Sequence, residues 1–213
     1  MGYDLNAYDA VMFNTNAWSR LKTSWGGNTM IFMSHSITYL LEHEVGHSMG
    51  LQHARALDAN GQQVEYGNPY DMMGSGDYDA AQFGIYNKSK LGWLSNTADS
   101  PELAINPGTG TYRIYALDGG ELQAGKTYGM LINQPSVGTF YFEYRSTIPA
   151  IYGAKGNRVA SSLMVRQVLN DNDVLVDVGT ATPGNYVDVG IDIGQTFKAV
   201  SYTHLRAHET SLH

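Results

Sequence analysis

Three histidines lie within eleven positions of the segment "LLEHEVGHSMGLQHA", residues 40–54. His43 and His47 are four residues apart, so on a helix with 3.6 residues per turn both imidazoles lie on one face. Imidazole nitrogens are common zinc ligands and hold the ion at roughly 2.0–2.1 Å. The spacing therefore predicts a helix that presents two ligands to one metal ion.

Glu44 and Gly50 complete the chemistry that the histidines suggest. Glu44 follows the first histidine and is rotated away from the metal, so its carboxylate can reach a water on the ion without being a ligand. Gly50 is predicted to end the helix, because glycine adopts the left-handed conformation without a Cβ penalty. The turn would bring His53 back to the ion as the third ligand, which leaves the fourth position of zinc open for water.

These five residues fill every fixed position of the pattern H-E-x-x-H-x-x-G-x-x-H. A chance match at all five has a probability on the order of one in ten thousand or less. The segment resembles the zinc site of the metzincin metallopeptidases. The segments "YGNPYDMMG", "LGWL" and "FYFEYR" are similar to those of the gametolysin-type peptidases within that clan. The likeness covers roughly residues 3–197 and is strongest over residues 28–94.

The resemblance implies a role for a methionine after the third histidine. In metzincins a tight turn places a methionine beneath the metal, and Met73, directly before Gly74, occupies this place, with Met72 as the alternative. Its thioether would support the histidine rings as an apolar contact rather than as a ligand. Some metzincins carry a tyrosine ligand two residues later. Ser75 stands there in this chain, so three protein ligands are expected.

The site and the resemblance together predict a zinc endopeptidase. Zinc lowers the pKa of a coordinated water from about 15.7 toward about 7 and polarises the scissile carbonyl. Glu44 would accept the proton of that water as general base and pass it to the departing amine. The apolar segment "NTMIFMS" is expected to form the sheet edge over the cleft and to bind the peptide as an added strand.

The composition limits the classes of protein that fit. The chain has 213 residues, of which 43% are hydrophobic and 15% charged, so a packed core is expected rather than disorder. A net charge of −7 gives no electrostatic reason for a nucleic-acid partner. Cysteine is absent, which excludes disulfides and thiolate ligands, and no apolar run is long enough to span a membrane. The expected partner is a protein or peptide substrate, and nothing indicates an oligomeric state.

The predicted fold class is α+β with two domains. Residues 1–98 are interpreted as a truncated metzincin-like catalytic domain, with a mixed sheet, an active-site helix and a C-terminal helix. Residues 99–199 are interpreted as a β-rich, sandwich-like accessory domain that begins with the linker "SPELAINPGTG". The helices are predicted over "ITYLLEHEVGHSM", with Ser36 as its N-terminal cap, and over "AAQFGIYNKSKL". The strands predicted after the linker are "TYRIYAL", "YGMLIN", "TFYFEYR", "SSLMVRQVL", "DVLVDV" and "QTFKA".

Both ends are interpreted as truncated. Residues 200–213 resemble a sequencing adapter when they are read back into codons, so this tail is interpreted as an artefact. Metzincin catalytic domains begin with strands and a long helix before the equivalent of "YDAVMFN", which lies close to the start of this chain. No signal peptide is recognisable, but the parent protein is expected outside the cell or in the cell envelope.

Two alternatives to a zinc endopeptidase stay open. The chain could be a non-catalytic binding module with a vestigial zinc site, although the intact Glu44 argues against this. It could also be a zinc hydrolase that acts on a non-protein amide, which the sequence does not separate from a peptidase. The acidic turn "LNDNDVLVD" offers oxygen ligands for Ca²⁺, but a plain β-turn is favoured, and calcium use is otherwise unsupported. Asp71 is likewise favoured as a turn residue.

Overall fold

The computed structural model of the chain describes a defined set of residues. They are residues 4, 7–8, 11–14, 25–26, 30–33, 38–75, 82–96, 102–146, 162–178, 186, 189–199 and 203–206. Within them the chain forms two helices and twelve strands, which are arranged in three sheets. Neither described helix is long and apolar enough to cross a membrane.

The first sheet has three short strands in the order β1-β3-β2, which are β1 (Val11–Asn14), β2 (Trp25–Gly26) and β3 (Met30–Met33). β3 pairs in parallel with β1 and antiparallel with β2. β3 is therefore the central strand. The prediction that "NTMIFMS" forms the edge of the sheet is wrong, because both of its neighbours in this sheet are strands of the chain itself.

Helix α1 (Thr38–Ser48) carries the histidine motif and contacts β2 and β3. It ends as predicted, with Gly50 in the left-handed region at φ +87°. The N–H of Gly50 donates to the carbonyl of His47 at 2.9 Å, and the N–H of Leu51 donates to that of Gly46 at 3.0 Å. These two bonds form a Schellman cap, which satisfies the last carbonyls of the helix and turns the chain back. The predicted N-terminal cap, Ser36, lies outside the described residues.

The second sheet has seven strands in the order β5-β4-β10-β9-β8-β7-β6. β4 pairs in parallel with β10 and β6 with β7, and the other pairs are antiparallel, so the sheet is mixed. The strands are β4 (Arg55–Leu57), β5 (Gln63–Val64), β6 (Leu103–Ile105), β7 (Gly129–Gln134), β8 (Gly138–Tyr144), β9 (Leu163–Leu169) and β10 (Asn172–Val176).

This sheet joins strands from before and after residue 99. β4 and β5 come directly after the histidine motif, whereas the other five strands come from beyond residue 99. The observed fold is thus mixed α+β with one large mixed sheet. The predicted arrangement of a metzincin-like domain followed by a separate sandwich-like domain is not confirmed, and the boundary near residue 99 stays a prediction.

Two predictions in this region need correction. The segment predicted as a linker contains β6, and Leu103 and Ala104 of this strand are buried in the core. The segment "TYRIYAL", predicted as a strand, is irregular. The N–H of Tyr115 donates to the carbonyl of Thr127, and the N–H of Leu117 donates to the carbonyl of Tyr144. The backbone hydrogen bonds of this segment therefore do not follow one neighbouring strand. The other five strand segments predicted after the linker contain strands.

Helix α2 (Ile85–Lys90) is shorter than predicted. Gly84 has an extended backbone, with φ −69° and ψ 172°, and its N–H donates to the Asp71 carboxylate at 2.8 Å. Gln82 forms a β-bridge with Asp71. Contacts with Asp71 thus replace the first turn of the predicted helix, whose residues 80–81 lie outside the described residues.

The segment "LNDNDVLVD" contains a two-residue hairpin turn, in agreement with the β-turn favoured from the sequence. Asn170 and Asp171 both have positive φ, of 52° and 61°, which is the conformation that a tight two-residue turn between β9 and β10 requires. The last two strands, β11 (Thr196–Ala199) and β12 (Thr203–Arg206), pair with each other. β12 belongs to the tail that resembles an adapter, and the origin of that tail stays a prediction.

Candidate metal centre

The structure brings His43, His47 and His53 together. One ligand nitrogen from each of them lies within 4.8 Å of the others, and the Nε2 atoms of His47 and His53 are 3.0 Å apart. Two nitrogens that bind a tetrahedral ion at roughly 2.0–2.1 Å lie about 3.3 Å apart. The three histidines can therefore hold one metal ion.

Backbone carbonyls fix the imidazole rings of His43 and His47 through the Nδ1 atoms. The Nδ1 of His43 lies 2.8 Å from the carbonyl oxygen of Met72, and the Nδ1 of His47 lies 2.9 Å from that of Leu51. A carbonyl only accepts, so these partners assign the ring proton to Nδ1 in both histidines. The Nε2 atom of each ring is left with a free lone pair for a metal.

A carboxylate holds the third ring in the same way. The Nδ1 of His53 donates to Oε1 of Glu65 at 2.8 Å, and Arg55 lies 3.8 Å from the same oxygen. The lone pairs on Nε2 of His53 and His47 consequently face each other at 3.0 Å. Two such lone pairs repel unless a cation lies between them, so the donor set fits a bound metal ion.

Burial favours the neutral, metal-binding form of His43 and of His53. Burial lowers the pKa of His43, although the hydrogen bond to Met72 raises it. Burial also lowers the pKa of His53, although the hydrogen bond to Glu65 raises it. Burial also raises the pKa of Glu44, with His47 acting in the opposite direction. The carboxylate of Glu44, a residue that is 5% exposed, is thus more basic than an ordinary one.

Met73 is the methionine that lies against the histidine helix. It is fully buried among Leu51, Ala54 and neighbouring apolar side chains. A Cβ atom placed on Gly46 of α1 would lie 2.3 Å from Sδ of Met73, so a larger residue there would displace the thioether. Met72 contributes its backbone carbonyl instead. Met73 therefore packs against the helix that carries two of the histidines, and its support of the histidine rings stays a prediction.

Glu65 and Tyr66 belong to the site although no sequence pattern indicated them. The Tyr66 ring lies 3.8 Å from the His53 ring and 5.8 Å from the His43 ring, measured between centroids. Its backbone is left-handed, with φ 59°, and its side chain is 42% exposed. Burial and the carboxylates of Glu65 and Glu44 raise its pKa, so the phenol keeps its proton. Tyr66 therefore borders the exposed side of the centre.

Replacing Glu65 by glutamine is expected to weaken metal binding by roughly 10- to 100-fold, the usual effect of losing an outer partner of a metal ligand. The amide is a weaker acceptor for the His53 proton and can turn its own N–H toward the ring. Competition with a chromophoric chelator measures the dissociation constant. The control is Glu121→Gln, at an exposed carboxylate before β7. Equal affinity of the Glu65 variant and the unmodified chain would contradict this role.

Asp71 connects the turn beneath the histidines to the rest of the fold. One carboxylate oxygen, Oδ1, accepts from the N–H of Met73 at 2.9 Å and from Nδ2 of Asn87 at 3.0 Å. The other, Oδ2, accepts from the N–H of Gly84 at 2.8 Å and from Nη1 of Arg166 at 3.1 Å. The favoured interpretation as a turn residue is borne out by the bond to Met73, but the contacts with α2 and β9 were not expected.

Arg166 is the centre of a buried network of charges. It is fully buried in β9 and pairs with Glu143 at 2.6 Å, with Asp71 and with Asp173. Burial alone would raise the pKa of Glu143, but the guanidiniums of Arg145 and Arg166 lower it to about 2. Glu143 is therefore an ionised partner of the two arginines. Burial raises the pKa of Asp173 to about 7 although the Arg166 guanidinium opposes the shift. The carboxylates of this network bond to buried arginines and are not left free to bind a second metal.

Comparison with known proteins gives no match, whether to a family model, a curated protein or a solved structure. The resemblance to metzincins and to gametolysin-type peptidases stays a prediction. The function is therefore argued from the residues of the site itself.

Proposed function

We propose that the chain binds one zinc ion through His43, His47 and His53 and hydrolyses peptide bonds. The observation that supports this proposal is the convergence of one ring nitrogen from each of three histidines, each of which has an acceptor at Nδ1. Three protein ligands with an open fourth position are typical of catalytic zinc, whereas structural sites have four. When bound, zinc supplies Lewis acidity, which lowers the pKa of water and polarises a carbonyl group.

Glu44 is the proposed general base. It follows His43 on α1, so its side chain leaves the helix about 100° away from the two ligands, where it would reach a water on the metal without binding the ion itself. The carboxylate takes a proton from water as the water oxygen bonds to the carbonyl carbon of the peptide. When the carbon–nitrogen bond breaks, the same carboxyl group gives the proton to the departing amine. Tyr66, at the exposed side of the centre, borders the region through which a substrate would approach.

Zinc binding and peptide hydrolysis test the proposal separately. Metal analysis after dialysis against zinc should find one zinc per chain, and His47→Ala should retain far less, because two ligands remain. The loaded chain should cleave casein, measured by release of labelled peptides. Binding of one zinc with no protein cleavage would reject the peptidase, and a substrate panel would then include non-protein amides. A chain that binds no zinc would reject the whole proposal.

A further inference from the structure

A continuous series of contacts leads from the large sheet to a metal ligand. Arg166 donates to Oδ2 of Asp71 at 3.1 Å, and Oδ1 of Asp71 accepts from the N–H of Met73 at 2.9 Å. The preceding residue, Met72, accepts the Nδ1 proton of His43 at 2.8 Å. We infer that Asp71 is a positioning residue of the metal centre and that Arg166 holds it in place. This inference rests on the metal-binding part of the proposed function.

The geometry of Asp71 explains how it can fix the turn. A carboxylate has about four acceptor positions, and the four donors around Asp71 come from the turn, from α2, from the segment before α2 and from β9. Rotation of the carboxylate would break several of these bonds at once. Residues 71–74 are all buried, so water cannot replace the bonds that would be lost.

The turn held by Asp71 contacts the metal ligands at two places. The Met72 carbonyl orients the ring of His43 and fixes its tautomer. The carbonyl of Met73 accepts from the N–H of Ala54 at 2.7 Å, directly after His53 in the chain. A small displacement of the turn would consequently move two ligands, and metal affinity falls steeply when ligands are misplaced.

Glu143 provides a matched control within the same network. Like Asp71 it is fully buried and pairs with Arg166, here through Oε1 at 2.6 Å. Its other oxygen accepts from the N–H of Ile85 at 2.9 Å, at the start of α2. Glu143 therefore shares the buried environment and the arginine of Asp71 but does not bond to the turn beneath the histidines. Loss of either carboxylate disturbs the network, whereas only loss of Asp71 should disturb the metal centre.

Asp71→Asn and Glu143→Gln make this comparison with the smallest change of shape. Each amide offers one acceptor oxygen where the carboxylate offered two, so in the Asp71 variant an NH2 group must face the N–H of Met73 or of Gly84. We expect the zinc dissociation constant to rise roughly 10- to 100-fold for Asp71→Asn and to stay within about threefold for Glu143→Gln. Chelator competition measures both, at a temperature where circular dichroism shows that the variants are folded.

A second measurement separates positioning from general destabilisation. In the metal-free chain, ¹⁵N NMR of the His43 ring should report the tautomer protonated at Nδ1. Asp71→Asn should produce a mixture of tautomers, and Glu143→Gln should not. Equal zinc affinity of the two variants, or an unchanged His43 tautomer in Asp71→Asn, would overturn the inference. These measurements need no catalysis. If the chain binds zinc but cleaves no protein, the proposed peptidase activity is rejected and the role of Asp71 can still be tested. If the chain binds no zinc, both the proposed function and the inferred role of Asp71 are rejected.

Discussion

Replacing Glu44 by glutamine is expected to lower kcat for peptide hydrolysis by roughly 10²–10⁴-fold, the usual contribution of a general base. The amide keeps the shape of the carboxylate but cannot accept the proton of the attacking water. Zinc binding should persist, because Glu44 is beside the ligands rather than among them and the three imidazoles keep their Nδ1 partners.

The matched control for Glu44 lies on the same helix. Glu42→Gln removes a carboxylate that is exposed and two residues earlier, so its kcat should equal that of the unmodified chain. Rates of casein cleavage are compared at equal zinc occupancy, which metal analysis establishes for each variant. Full activity of Glu44→Gln would remove the proposed base from the mechanism. Loss of zinc in the same variant would instead mean that the glutamate supports the metal.

The parts of the site that could be predicted are local in sequence. The three histidines lie within eleven positions, and helix geometry alone brings His43 and His47 to one face. Gly50 identifies the end of that helix, because few other residues adopt its φ of +87°. The observed helix α1 and its cap therefore confirm an inference that needed no knowledge of the rest of the chain.

The parts that could not be predicted depend on tertiary contacts. Glu65 is a surface carboxylate by its sequence context, and only the fold brings it to His53. Arg166 is 95 positions from Asp71, so no spacing rule connects them. The strands β4 and β6 have three residues each, too few to show an alternating pattern in the sequence. They form strands because they pair with strands that are distant in the chain. This is also why a single sheet across residue 99 was not expected.

Replacing Arg166 by methionine is expected to lower the free energy of unfolding by about 3–5 kcal/mol, the usual cost of removing one partner from a buried ion pair. The side chain is fully buried, and its loss leaves the carboxylates of Asp71, Glu143 and Asp173 without their shared cation. Urea unfolding of the metal-free chain at pH 7 measures the difference. Arg113→Met, at an exposed arginine, is the control and should change little. A loss below about 1 kcal/mol would mean that water reaches the carboxylates.

The pH dependence of this loss identifies its cause. In the unmodified chain the folded pKa of Glu143 is about 2, below its ordinary value of 4.5, so its contribution to stability is complete above pH 4.5. Without Arg166, the folded pKa of Glu143 rises, because only Arg145 still opposes the effect of burial. The folded pKa of Asp173, which burial already raises to about 7 in the unmodified chain, rises further. The folded variant then takes up protons as the pH falls, which stabilises it relative to its unfolded state. The difference between variant and unmodified chain should therefore narrow from pH 7 to pH 5. If it stays constant over that range, the destabilisation comes from lost packing around the arginine and not from unpaired charges.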